Sequence, residues 1–159
     1  MRCFAWIASL LLATGGCDAI NLQEIRPGVT TADEVRARMG EPTAEFNNPD
    51  GSVTYEYSRQ PNGVECHMIT FGPDRRVSQV EQVLSEATYA RIRNGLSRDE
   101  VRRLMGKPAS IQTFERQREE VWDWRIKGDI PTDEWHLHVH FDTDSGRVVR
   151  TSRRLEMRG

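Results

Sequence analysis

One short segment occurs twice in this chain, and the duplication limits what it can fold into more than any other feature. The run from Ile25 to Pro42 (IRPGVTTADEVRARMGEP) is answered by the run from Ile92 to Pro108 (IRNGLSRDEVRRLMGKP), with one extra residue between Gly28 and Thr31 as the only gap. Each copy spells a short capped helix. Thr31 or Ser97 stands at the N-cap, Glu34 or Glu100 three residues later completes a capping box, and Gly40 or Gly106 closes the helix before Pro42 or Pro108 forbids its continuation. Val35 with Met39, and Val101 with Leu104 and Met105, give each helix one apolar stripe, while the arginines fall on the wet side. A further short helix is expected from Glu86 to Arg93.

After each capped helix the apolar period changes from helical to alternating, which signals strands. In the first copy these are expected at 53–58, 65–71 and 77–84, joined by turns at Pro61-Asn62-Gly63 and Gly72-Pro73-Asp74. In the second they are expected at 121–126, 134–142 and 147–154, with Asp144-Ser145-Gly146 as the tight turn. Tyr55 and Tyr57 answer Trp122 and Trp124, and Phe71 answers Phe141. The predicted fold class is therefore α+β: two repeated units packed as one body, each of short helices followed by a three-stranded antiparallel meander. The predicted boundaries are 17–84, which includes a short N-terminal tether, and 85–159.

The N-terminus reads as an export signal. Arg2 precedes an apolar stretch from Phe4 to Ala13, which is followed by Thr14, Gly15, Gly16 and Cys17. The stretch is about half the roughly 20 apolar residues that a bilayer-spanning helix needs. Cys17 directly after small residues resembles the lipid-accepting cysteine of a bacterial lipobox, so residues 1–16 are expected to be removed and Cys17 acylated. Stable anchoring then takes several acyl chains. Loss of Arg2 moves the formal net charge from −2 to −3, and an exported chain without a basic excess argues against nucleic-acid binding. Processing leaves Cys66 without a partner cysteine, as a small residue in a strand and not a reactive thiol.

Side chains alternate across a strand, so Trp135, Leu137, Val139 and Phe141 share one face, and His136, His138 and His140 share the other. Trp122 and Trp124 likewise oppose Val121, Asp123 and Arg125. The aromatic side is expected to form the core under the helices. The other side offers a polar face, and its residues Asp123, Arg125, His136, His138 and His140 are the candidate partner-binding set. Imidazoles at alternate positions suit zinc or copper, so His136, His138 and His140 with Asp123 make metal binding a third reading of this face. The outer two histidines, however, lie roughly 13 Å apart along an extended strand and do not easily share one ion, and no metal is assigned. No catalytic residue and no cofactor are expected. The serines lie at caps, turns and strand positions without a nucleophile elbow, and neither a phosphate loop nor a dinucleotide fingerprint is present.

Ile92, Gly95, Leu96, Ser97, Val101, Gly106, Pro108, Trp122, Trp124, Phe141, Asp142 and Gly146, with weaker equivalents from Ile25 to Phe71, form a pattern that resembles the SmpA/OmlA family, which includes BamE. The resemblance implies a small, non-enzymatic lipoprotein of the outer-membrane β-barrel assembly machinery. It implies a protein partner in the cell envelope, contact with the membrane through the lipid anchor, and a domain facing the periplasm. It covers nearly all of the chain after residue 16 only if the unit is counted twice, whereas BamE-type proteins usually carry one. Two units in tandem are also similar to the β-lactamase inhibitor protein architecture, in which a concave sheet clasps a partner, and this makes an inhibitor or regulator of a periplasmic enzyme the alternative function. Asp18 after the acylated cysteine resembles an inner-membrane retention signal, against an outer-membrane location that the family favours.

Overall fold

The computed structural model describes residues 22–130 and 133–156. The expected leader at 1–16, the candidate lipid-attachment residue Cys17 and Asp18 lie outside the described residues. Among the described residues no helix is long and apolar enough to cross a membrane.

The elements run α1 (Ala32–Met39), β1 (Ala44–Asn47), β2 (Val53–Ser58), β3 (Cys66–Phe71), β4 (Val77–Gln82), α2 (Glu86–Tyr89), α3 (Arg98–Met105), β5 (Ser110–Phe114), a single 3-10 turn (Glu115–Gln117), β6 (Glu119–Lys127), β7 (Glu134–Asp142) and β8 (Val148–Glu156). They form two antiparallel sheets of four strands, ordered β1-β2-β3-β4 and β5-β6-β7-β8. The α+β class holds, but each meander has four strands and not three. The additional strands are β1 and β5. Each follows the helix-ending proline and pairs with the next strand, Ala44 opposite Glu56 and Ser110 opposite Asp123. The helix expected at 86–93 is shorter and ends at Tyr89.

Both capping boxes form. The Thr31 and Ser97 side chains accept from the backbone N–H groups of Glu34 and Glu100, and each glutamate reaches back to its N-cap backbone N–H. These bonds hold the Glu34 and Glu100 carboxyls below the usual carboxylate range. Eight-residue helices are too short to persist alone in water, so their stability comes from packing. Ala32 and Val35 of α1 enter a core with Ile25, Tyr55, Ile69, Phe71 and Val77. Val101 and Met105 of α3 enter a larger core that takes Trp122, Trp124, Ile126, Leu137, Val139 and Phe141 from the second sheet and Cys66 and Met68 from the first.

Strand alternation explains how one sheet serves two cores. On β2 and β3, Tyr55, Ile69 and Phe71 point to α1, while Glu56, Cys66 and Met68 point the opposite way, to α3. The layers therefore run α1, first sheet, α3, second sheet. The outer face of the second sheet has no helix on it among the described residues.

The two sheets also agree in detail. Each carries its bulge at the same place, between Thr70 and Phe71 in β3 and between His140 and Phe141 in β7. A lone antiparallel bridge ties each N-cap to the last turn, Thr31 to Arg76 and Ser97 to Arg147. A guanidinium locks each, with Arg76 donating to the Val29 carbonyl and Arg147 to the Gly95 carbonyl.

Candidate functional site

The outer face of the second sheet collects the residues that the sequence nominates. Register sets the arrangement: Asp123 on β6 stands opposite His138 on β7, which stands opposite Ser152 on β8. Arg125, His136 and Arg154 form the adjacent row, and Val121, His140 and Arg150 the next. The face is more enclosed than a hydrated strand would be, since His136 and His140 are only 8% and 7% exposed. Buried polar groups need partners, and both rings have them. His136 sets Nδ1 2.9 Å from Asp123 Oδ1 and Nε2 3.0 Å from Glu156 Oε2. His140 sets Nδ1 3.0 Å from Glu119 Oε2 and Nε2 3.0 Å from Ser152 Oγ.

His138, between them, places Nε2 3.4 Å from Asp123 Oδ1. Burial pushes its pKa below the ordinary histidine value, against the pull of the Asp123 carboxylate. Glu119 is held below the usual carboxylate range, first by the hydrogen bond from Arg150, which donates at 2.8 Å, and further by His140. Arg125 has a different place from the other four candidates. Its guanidinium donates to the Pro61 carbonyl at 3.0 Å and pairs with Glu134, and its backbone exchanges hydrogen bonds with the Gln60 side chain. It joins the second sheet to the β2–β3 connection of the first.

Three partners on this face were not legible in the sequence: Glu119, Ser152 and Glu156. They lie on β6 and β8, and only the strand register brings them to the histidines. The alternation Arg150, Ser152, Arg154, Glu156 along β8 is the one signal that could have placed them on a common face.

The same register positions in the first sheet show what such a face can hold. Glu56, opposite Met68, corresponds to Asp123, opposite His138. Glu56 is fully buried. It pairs with Arg102 of α3 and accepts from the backbone N–H of Lys107 at 2.9 Å, so its carboxylate receives the C-terminal end of that helix. Cys66, at the position of His136, is buried against Gly106, and burial pushes its thiol up to about 12, with Glu56 adding to the rise. A thiol held neutral in this way is a packing group and not a nucleophile. Thr70 and Met68 stand where His140 and His138 stand in the second sheet. At the positions of the three histidines the covered face thus carries the small or apolar side chains of Cys66, Met68 and Thr70, beside the paired Glu56 carboxylate. Trp122 and Trp124 lie on the inner side, with Trp124 fully buried and donating to the Gly106 carbonyl at 3.2 Å, and Trp122 packed on Phe141 at 4.9 Å between ring centroids.

Comparison with known proteins returns one family and two solved structures. No curated protein matches the chain. YjgB, a DUF4309 family protein from Bacillus subtilis subsp. subtilis str. 168, is 14% identical, with 84% of each chain covered and a TM-score of 0.32. A Streptococcus mutans protein provisionally described as a beta-lactamase inhibitor protein is 11% identical, with 87% of this chain and 98% of that chain covered and a TM-score of 0.34. Overlaps this loose carry neither fold nor function across. One family model matches part of the chain: residues 81–151, which span α2, α3 and the second sheet into β8, are similar to the outer membrane protein assembly factor BamE domain.

Proposed function

We propose that this chain is a lipid-anchored, non-enzymatic protein-interaction module of the cell envelope, built from two tandem units at 17–84 and 85–159, and that it serves outer-membrane protein assembly. One observation carries the reading. The first sheet seats a helix on the face that bears Glu56, and the second sheet has no element, among the described residues, on the face that bears Asp123 at the corresponding register. A repeat stacked this way offers its partner a surface of the kind already used once within the chain. Its polar lining keeps that surface compatible with water until the partner arrives. Asp123, His136, His138 and His140 form the centre of the surface, and Arg125 fixes its edge.

The BamE domain at 81–151 supports the assembly role. The sequence of the leader supports cleavage before Cys17, acylation of that cysteine and a domain facing the periplasm. The family favours the outer membrane, whereas Asp18 favours retention at the inner one.

Intact mass and membrane fractionation of the wild type beside Cys17→Ala test the anchor, and pull-down from detergent-solubilised envelopes tests the partner. The wild type is expected to be shortened, acylated and sedimentable, the variant soluble, and subunits of the barrel-assembly machinery are expected in the eluate. Equal solubility of both forms would remove the anchor. Recovery of a single soluble enzyme in place of assembly subunits would make the chain an inhibitor or regulator.

A further inference from the structure

The contacts of His136 are more than a neutral imidazole can satisfy by hydrogen bonding. Both of its ring nitrogens face carboxylate oxygens, Asp123 at Nδ1 and Glu156 at Nε2. A neutral imidazole has one N–H and one lone pair. When Nε2–H of the neutral ring donates to Glu156, the Nδ1 lone pair is left 2.9 Å from a carboxylate oxygen, an acceptor facing an acceptor, and either a second proton or a metal ion between them resolves the contact. The nearby His138 Nε2 converges on the same Asp123 oxygen at 3.4 Å. One ligand atom from each of Asp123, His136 and His138 falls within 4.8 Å of the others.

We infer that Asp123, His136 and His138 form a binding site for a divalent transition-metal ion of the zinc type. In a tetrahedral zinc site with bonds of about 2.0–2.1 Å, neighbouring ligand atoms stand about 3.3–3.4 Å apart. The separations of 2.9 and 3.4 Å from Asp123 Oδ1 bracket that value. Two imidazoles and one carboxylate suit zinc and its neighbours in the transition series far better than calcium or magnesium. Glu156, accepting from the far nitrogen of His136, is the outer carboxylate that orients a metal-ligating histidine and fixes its tautomer.

His140 is excluded from the set by its own partners, Glu119 and Ser152. It therefore serves as an internal control on the same strand. With three protein ligands, the ion keeps a coordination position for water or for a donor group from another molecule. The inference does not depend on the identity of any protein partner, and a failed pull-down leaves it intact.

The test is calorimetric titration of the full chain in detergent with zinc chloride at neutral pH, beside His138→Ala and His140→Ala. Wild type is expected to bind one zinc ion at micromolar or lower concentration, and its Tm to rise on zinc addition. His138→Ala is expected to lose at least about 10-fold in affinity, while His140→Ala retains it. A wild type without zinc heat and without a Tm shift up to millimolar zinc overturns the inference. So do equal losses in the two variants, or a His138→Ala chain that binds as tightly as wild type.

Discussion

Arg102→Ala is expected to destabilise the chain by about 3–5 kcal/mol, the cost of leaving a buried charge without its partner. The Glu56 carboxylate is fully enclosed between β2 and the end of α3, and it has two contacts there: the Arg102 guanidinium and the Lys107 backbone N–H. Truncating Arg102 removes the charged one and offers no water in return. Arg103, one residue on, is the appropriate control. It pairs with Asp99 one helical turn earlier, and the two side chains are 42% and 74% exposed. An exposed pair of this kind, with the Arg103 guanidinium also over the Phe46 ring, contributes at most about 1 kcal/mol. Urea denaturation of the two variants checks this, and a difference of under about 1 kcal/mol between them would mean that α3 is not fixed by the Glu56–Arg102 pair.

The second large effect is expected at Gly106. Gly40 and Gly106 end their helices with nearly the same backbone, φ 80° and 75° with ψ −168° and −170°, a region that is essentially restricted to glycine, so alanine at either pays about 1–3 kcal/mol. There the likeness ends. A Cβ on Gly40 meets nothing within 4 Å, whereas a Cβ on Gly106 would stand 2.4 Å from Cys66 Sγ and 3.4 Å from the Glu56 carboxyl group. Neither neighbour can retreat, because both are fully buried. Overpacking adds about 1–3 kcal/mol, for a total of about 2–6 kcal/mol at Gly106. Combining Gly106→Ala with Cys66→Ala removes the sulfur and is expected to recover part of the loss. Equal costs at Gly40 and Gly106 would show that α3 does not press on the first sheet.

Both predictions concern the contact between α3 and the first sheet, and that contact was the least legible part of the fold. Capping boxes, closing glycines and strand alternation are local, so Thr31, Ser97, Glu34 and Glu100 announced both helices, and Trp122, Trp124, Leu137 and Val139 announced one face of a sheet. β1 and β5 were silent for opposite reasons. β1 is four residues long, and β5, from Ser110 to Phe114, is exposed throughout as an edge strand, so it has no apolar face to alternate. The Glu56–Arg102 pair joins residues 46 apart in sequence, and nothing in either neighbourhood marks them as partners. The histidines were legible as a row on one strand but not as separate sites. Only the register of β6 against β7 and β8 gives His136 and His138 to Asp123 and His140 to Glu119.

The account stands or falls on whether the uncovered face of the second sheet is where a partner docks. The direct measurement is site-specific photocrosslinking in intact cells, with the reactive residue at Gln112 or Arg154 on that face and, for comparison, at Val29, which is 60% exposed beside the first sheet. The account predicts one discrete adduct with an envelope protein from both Gln112 and Arg154 and none from Val29. Adducts from Val29 alone, or none from Gln112 and Arg154 in cells where the chain is membrane-bound, would contradict it and make the polar face a solvated end to the stack of sheets.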